Sequence, residues 1–221
     1  MHIPDGFISG TINLAGFGIS AAGCSYSIRK INKTMNERQI PLLGVTSAFI
    51  FAAQMLNFPI AGGTSGHFLG ALMAAILMGP WASLLIMSLV LTIQCLGFAD
   101  GGITALGTNI FNMGIIGGVF SYYIFIFLKA VLPKNRGGFL TSSAIASWFS
   151  VMSSSFFCAF ELSLSGTAPL KIVLPAMLGV HTVIGIGEAI VTTAVLSSIL
   201  AARSDLIISL NHGQGRQWKE V

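Results

Sequence analysis

Long apolar runs, separated by short polar or glycine-rich connections, make up most of the chain. Runs of about 17 to 25 apolar residues are typical of helices that cross a bilayer. Seven segments fit this pattern, and they cover residues 7–28, 41–58, 65–79, 81–98, 106–128, 139–160 and 175–202. The pattern therefore predicts an all-α membrane protein, a bundle of about seven transmembrane helices.

The composition strengthens this prediction and excludes a soluble enzyme. Of the 221 residues, 54% are hydrophobic and only 8% are charged, whereas about a quarter of the residues in a soluble domain are charged. A soluble fold of this length must cover its surface with polar groups, so the expected solvent is the lipid bilayer. We predict one transmembrane domain over residues 1–202 and a polar cytoplasmic tail over residues 203–221.

The positions of the basic residues predict the orientation. Lys and Arg are retained on the cytoplasmic side of inserting helices. With seven spans and the N-terminus outside, ten of the 11 basic residues face the cytoplasm and only Lys171 faces out. The C-terminus is then cytoplasmic. Basic residues that are spread this thinly form no face for nucleic acid. The outer connections carry Asp5, Asp100 and Glu161, which predicts a weakly acidic outer mouth.

The first residues of the chain, Met1-His2-Ile3-Pro4-Asp5-Gly6, offer unusual chemistry. They lack the basic region and the cleavage site of a signal peptide, and the bulky His2 should leave Met1 in place with a free amine. That amine, the His2 amide and the His2 imidazole place three nitrogens in one plane. A fourth nitrogen would complete a square, the geometry of Ni(II) or Cu(II). The turn-forming residues that follow can fold the segment back into the bundle.

Two histidines are candidates for the fourth ligand. His67 follows a glycine-rich loop at the outer end of the third segment, and His181 lies early in the seventh segment, also towards the outside. His67 is the better candidate, because glycines allow another backbone to approach closely. His212 falls in the predicted tail, on the opposite side of the membrane.

Several motifs together resemble a known family. These are the MHIPDG start, Gly63-Thr64-Ser65-Gly66-His67, Gly79-Pro80-Trp81, and the run from Gly107-Thr108-Asn109 to Asn112-Met113-Gly114. They resemble the substrate-capture component of energy-coupling-factor (ECF) cobalt and nickel transporters, the CbiM/NikM group. The resemblance extends from residue 1 to about residue 202.

This resemblance implies a site, a topology and a set of partners. The metal is expected on the Met1 amine, the amide and imidazole of His2, and the imidazole of His67, in a near-planar site plugged by the N-terminal loop. The family also implies seven helices with the N-terminus outside, in a prokaryotic cell membrane. The expected partners are a transmembrane coupling subunit, two ATP-binding-cassette ATPases and a small accessory membrane subunit. No cofactor is expected beyond the transported Ni(II) or Co(II).

Other polar residues of the spans are candidates for supporting roles. Glu188 is the only acid in the middle of a predicted span, where a carboxylate is costly, and His181 lies two helical turns earlier on the same face. The pair could form a proton relay or could orient the metal site. Alternatively, Glu188 forms a hydrogen bond between helices. Ser65, Asn109 and Asn112 are further candidates for orienting or structural contacts.

Two other functions have some support in the sequence. A stand-alone secondary cation carrier could use Glu188 and His181 as its proton relay, and its uptake would then require a proton gradient and no ATPase. In an intramembrane serine protease, Gly63-Thr64-Ser65-Gly66 would be the nucleophile motif, but this match is short and does not explain Met1 and His2. The chain also lacks a Walker A motif. We therefore expect a metal-capture subunit that is not an enzyme.

Overall fold

The computed structural model describes residues 1–60 and 64–211. His212 and most of the predicted tail, as well as Gly63 of the glycine-rich loop, lie outside these residues. The α-helices are α1 Gly10–Thr34, α2 Ile40–Gln54, α3 Ala71–Met78, α4 Pro80–Phe98, α5 Leu106–Ile110, α6 Ser121–Val131, α7 Arg136–Leu164, α8 Leu170–Arg203 and α9 Ile208–Asn211. A π-helix, Phe111–Phe120, joins α5 to α6, and short 3-10 turns cover Glu37–Gln39 and Ser204–Leu206.

In the described part of the chain, four helical stretches are long and apolar enough to cross a membrane. They are Pro80–Phe98, Leu106–Val131, Arg136–Leu164 and Leu170–Leu206, and Ile40–Gln54 is a shorter apolar helix. Large apolar side chains such as Leu14 on α1 and Val183 on α8 are mostly exposed on the outside of the bundle, as expected where lipid is the solvent. The chain is a mostly helical, multi-pass membrane protein.

The third predicted span, residues 65–79, is wrong as a transmembrane helix. Its first residues form strand β2, Thr64–His67, which pairs antiparallel with β1, Asn57–Ile60. Helix α3 begins only after Gly70, whose φ of +74° is left-handed and favours glycine. Its eight residues rise about 12 Å, far less than the roughly 30 Å of a hydrocarbon core. All eight are buried, so α3 fills the centre of the bundle and contacts no lipid.

Glu161 also differs from its predicted place. It was expected as a solvated charge in an outer connection, but it lies on α7 and is 9% exposed. Its Oε2 accepts a 2.5 Å hydrogen bond from Nδ2 of Asn112 in the π-helix. Two serines of α7 also bond this helix, because Ser154 donates to the carbonyl of Asn112 and Ser150 to that of Gly117. Glu161 therefore contributes to the packing of α7 against the π-helix and is not a solvated loop residue.

The two ends of the bundle differ in character. At one end, a groove of about 380 Å³ brings Lys30 near the end of α1 together with the α3–α4 junction and Ile208. At the same end, the Nζ of Lys129 donates to the carbonyl of Ser209 at 2.7 Å. The opposite end holds the N-terminal segment, the loop between α4 and α5, and the loop between α7 and α8. The histidines that sequence analysis singled out approach each other at this second end.

Candidate metal centre

The N-terminal segment is docked inside the bundle by its backbone. Met1 and Ile3 have no exposed surface, and His2 is 3% exposed. Asn109 on α5 binds both polar groups of Ile3: its Oδ1 accepts from the Ile3 N–H at 2.9 Å, and its Nδ2 donates to the Ile3 carbonyl at 3.2 Å. The Gly102 N–H donates to the same carbonyl at 2.8 Å. The predicted folding of the N-terminal loop into the bundle is present in the structure.

Glycines let the loop between α4 and α5 approach this segment. A Cβ atom on Gly102 would lie 2.3 Å from the backbone nitrogen of Asp5, closer than any side chain permits. Gly101 has a φ of +97°, a conformation that L side chains rarely adopt. Asp100-Gly101-Gly102 therefore receives the N-terminal segment because its two glycines leave room for a second backbone.

Asp5 fixes the outer end of the segment to the same loop. Its Oδ1 accepts from the Thr104 N–H at 2.8 Å and from the Thr104 hydroxyl at 2.6 Å, and its Oδ2 accepts from the Ile103 N–H at 3.2 Å. These hydrogen bonds, first those of Thr104, lower the pKa of the exposed Asp5 carboxyl below its ordinary value. Further along, the hydroxyl of Ser165 accepts from the Ser9 N–H at 3.0 Å. The segment is held at both ends.

The amine of Met1 lies deep in the bundle. It donates to the carbonyl of Ser65 and lies 3.5 Å from the Ser65 hydroxyl. Burial lowers the pKa of this amine to about 5, from an ordinary value of 8.0. The amine is therefore neutral at pH 7 and keeps a lone pair, which a metal ion requires of a nitrogen ligand.

Gln94 on α4 contacts the imidazole of His2. Oε1 of Gln94 lies 3.0 Å from Nε2, and in the tautomer in which Nε2 donates to this amide oxygen, Nε2 carries the proton. The lone pair is then on Nδ1, the nitrogen that closes a six-membered ring with the His2 amide. Burial, and then the charge of the N-terminal amine, lower the pKa of His2 to about 3. The imidazole is neutral, as a metal ligand must be.

His67 stacks on His2 at the end of β2. The ring centroids lie 4.5 Å apart with an angle of 28° between the planes. Nδ1 of His67 donates to the carbonyl of Phe68 at 2.6 Å, and its Nε2, fully buried, has no hydrogen-bond partner among the residues the structure describes. Burial, followed by the charges of the amine and of His2, holds the pKa of His67 well below its ordinary value. An unpartnered buried lone pair of this kind suits a metal ion.

These groups bring possible nitrogen ligands from distant parts of the chain into one buried region. In residues 1–60 and 64–211, no three His, Cys, Asp or Glu side chains cluster closely enough to hold a metal ion. A site here must therefore use backbone nitrogens as well as side chains. The Met1 amine and the His2 amide are the backbone nitrogens that adjoin the two stacked imidazoles.

The supporting candidates are divided between the site and the helix contacts. Ser65 and Asn109 touch the N-terminal segment directly, as described above, whereas Asn112 bonds Glu161 and lies outside the site. Glu188 accepts from the N–H groups of Leu69 and Gly70, each at 2.7 Å. Its two oxygens therefore cap the start of α3, directly after His67.

His181 is fully buried on the face of α8 that also carries Glu188. Its Nδ1 donates to the carbonyl of Met177 one turn earlier at 2.7 Å, and its Nε2 has no hydrogen-bond partner in the described part of the chain. Its charge is among the minor causes of the lowered pKa of His67. His181 therefore lies near the stacked pair, but only His67 stacks on His2.

Asp100 was not among the predicted residues of the site. It was predicted as a charge of the outer mouth, yet its Oδ1 lies 3.4 Å from Nδ1 of His2. The available signal was the glycine pair that follows it, since two adjacent glycines mark a place where a second backbone approaches. Gln94, which contacts His2, was visible in the sequence as an amide in an apolar helix that could bridge helices or hold the N-terminal loop.

Comparisons with known proteins identify the family to which the chain is similar. The family model described as the cobalt uptake substrate-specific transmembrane region, CbiM, matches residues 2–206. A protein of Rhodobacter capsulatus named fused nickel transport protein NikMN is 32% identical over 94% of the chain and 64% of its own length. A protein of Methanosphaerula palustris named as a cobalt transport protein, CbiM 1, is 31% identical over 100% of the chain and 98% of its own length. A crystal structure described as a truncated transition metal transporter superposes with a TM-score of 0.84, at 34% identity, over 91% of the chain and 99% of its own.

Proposed function

Because the chain belongs to the CbiM family of cobalt and nickel transport membrane proteins, we propose that it is the substrate-capture subunit of an ATP-driven ECF-type transporter. It takes Ni(II) or Co(II) from outside a prokaryotic cell and delivers the ion to a transmembrane coupling subunit and its two ATPases, with a small accessory membrane subunit alongside. The relatives are components of metal transporters, not enzymes, and ATP hydrolysis belongs to the partner chains.

One observation carries this proposal. The free amine of Met1, the backbone and imidazole of His2, and the imidazole of His67 meet in a buried site, and burial lowers the pKa of all three titratable groups. Neutral nitrogens that the fold holds away from water have lone pairs that a metal ion can accept. In this proposal the four ligands are the Met1 amine, the His2 amide, Nδ1 of His2 and Nε2 of His67.

The ligand set favours particular ions. Four nitrogens in one plane suit Ni(II), whereas Zn(II) prefers a tetrahedron and hard cations such as Mg(II) prefer oxygen. Relatives are named for nickel and for cobalt, and both ions are proposed substrates. A proton relay through Glu188 receives less support, because both of its oxygens are engaged by backbone N–H groups.

A metal titration of the purified chain at several pH values tests this function. We expect one Ni(II) or Co(II) per chain. At pH 7 the amine and both imidazoles are already neutral, so binding displaces one proton, that of the His2 amide. The dissociation constant should therefore rise about tenfold for each unit that the pH falls from 8 to 5. Below pH 5 the amine also gains a proton, and the rise should steepen to about 100-fold per unit.

A steeper dependence of the dissociation constant on pH above pH 6 would contradict a buried, neutral amine. An exposed amine with its ordinary pKa of 8.0 would already compete between pH 8 and pH 6, and the slope there would be about 100-fold per unit. Failure to bind either ion at pH 7.5 would contradict the proposed function itself.

A further inference from the structure

Asp100 is placed beside the proposed metal ligands by a sharp turn at the end of α4. Ala99 has a left-handed φ of 53°, and the Asp100 N–H folds back to donate to the carbonyl of Gln94 at 3.0 Å. This turn points the carboxylate at the His2 ring, with Oδ1 3.4 Å from Nδ1. The Asp100 side chain is 17% exposed, against 3% for His2, so it lies between the buried imidazole and the outside.

The distance puts this carboxylate within reach of an ion bound to His2. A nitrogen ligand lies about 2.1 Å from a transition metal ion, so an ion on Nδ1 would be at most about 5.5 Å from Oδ1 of Asp100. At such a distance, in a site mostly removed from water, the attraction between opposite charges is weakly screened. The charge of Asp100 also acts on the Met1 amine, another of the proposed ligands, where it opposes the lowering of the pKa by burial.

The proposed ligand set leaves a charge that needs a partner. The amine and the two imidazoles are neutral, and the His2 amide contributes a single negative charge when it loses its proton. A divalent ion held by these four nitrogens therefore keeps a net charge of +1 in a buried place. An uncompensated buried charge is costly, and one carboxylate would make the loaded site neutral.

We propose that Asp100 is the charge-balancing carboxylate of the metal site and a determinant of its affinity for divalent ions. This inference rests on the proposed function, because it takes the four nitrogens as the ligands. Asp100 acts through its charge at the outer face of the site, and the nitrogens provide the bonds. Its loss should weaken metal binding and leave the stoichiometry and the metal-free fold unchanged.

Replacement by asparagine isolates the charge, since Asp100→Asn keeps the size and shape of the side chain. The affinities for Ni(II) and Co(II) are measured at pH 7.5 by competition with a chromophoric chelator, and the stability of the metal-free chain by thermal unfolding. We expect both dissociation constants to rise about 10- to 100-fold, with one ion still bound per chain and the unfolding temperature unchanged. Asp100→Glu, which restores the charge, should recover most of the affinity.

A matched control removes a carboxylate at the other end of the bundle. Asp205 is exposed and pairs with Arg203, so Asp205→Asn changes the net charge equally without touching the site. This control should bind metal like the unmodified chain.

The outcomes separate this inference from the function on which it rests. Unchanged affinity in Asp100→Asn, together with loss of binding in His67→Ala, would overturn the role of Asp100 and leave the ligand set standing. Equal losses in Asp100→Asn and Asp100→Glu, with a lowered unfolding temperature, would mark a purely structural contact and also overturn it. Unchanged binding in His67→Ala would overturn the ligand set and the role of Asp100 with it.

Discussion

Two residues added before Met1, glycine and serine, are expected to abolish stoichiometric metal binding. The extension turns the Met1 amine into an amide, whose nitrogen offers no ready lone pair. The bundle also leaves no space for the two added residues, because Met1 is fully buried and its nitrogen contacts Ser65. We expect the dissociation constant for Ni(II) to rise by about 1,000-fold or more, as measured by titration calorimetry.

The length of the extension matters for this experiment. One added residue would make His2 the third residue of the chain, where an amine, two amides and an imidazole can hold Ni(II) or Cu(II) without His67. Two added residues avoid this new chelate. The matched control carries the same glycine and serine after Val221 and should bind metal normally. Tight binding in the chain extended before Met1 would show that the amine is not a ligand.

Replacement of His67 by alanine is expected to have the second largest effect. The change removes the fourth nitrogen and leaves only the three that Met1 and His2 supply. We expect affinity to fall about 100-fold or more, so that the purified and dialysed variant retains no stoichiometric metal by elemental analysis. Free imidazole, which can occupy the space left by the side chain, should partly restore binding if the variant is folded.

Two other histidines serve as controls for this substitution. His212, in the predicted tail, should be replaceable by alanine without loss of metal. His181→Ala removes the other buried imidazole near the site and should also retain one ion per chain. If His181→Ala loses its metal and His67→Ala keeps it, the fourth ligand has been assigned to the wrong histidine.

Much of the candidate site could be predicted because its chemistry is concentrated in few residues. A chain with four histidines offers few nitrogen ligands, and the distribution of Lys and Arg placed two of them, His67 and His181, on the same side as the amine. The predicted approach of His67 to the N-terminus agrees with its stacking on His2. The assignment of Met1, His2 and His67 as metal ligands stays a prediction until binding is measured.

The fold was less predictable where tertiary contacts override an apolar pattern. Residues 65–79 are apolar enough for a helix, but α3 starts only at Ala71. Gly70 has a positive φ, and Glu188 accepts hydrogen bonds from the N–H groups of Leu69 and Gly70. A remote carboxylate on α8 therefore decides where a helix starts, and no local pattern contains that information. The predicted count of seven spans included residues 65–79 and is therefore not confirmed, and the orientation of the termini, which used that count, stays a prediction.

Asp100 shows the same limit at the site. Its approach to His2 depends on the left-handed turn at Ala99 and on the room that Gly101 and Gly102 give the N-terminal segment. The sequence displays these residues but not which distant backbone they receive. Glu161 was misplaced for a related reason: as an acid near the end of an apolar run it was assigned to a loop, whereas Asn112 provides it with a buried partner.

X-ray absorption of the nickel-loaded chain at the nickel edge tests the ligand set most directly. Four nitrogen neighbours in a planar arrangement, with part of the signal from two imidazole rings, is the result expected from the Met1 amine, the His2 amide and imidazole, and His67. A shell of about six oxygen atoms, or sulfur from a cysteine or methionine, would contradict a nitrogen site built on the amino terminus.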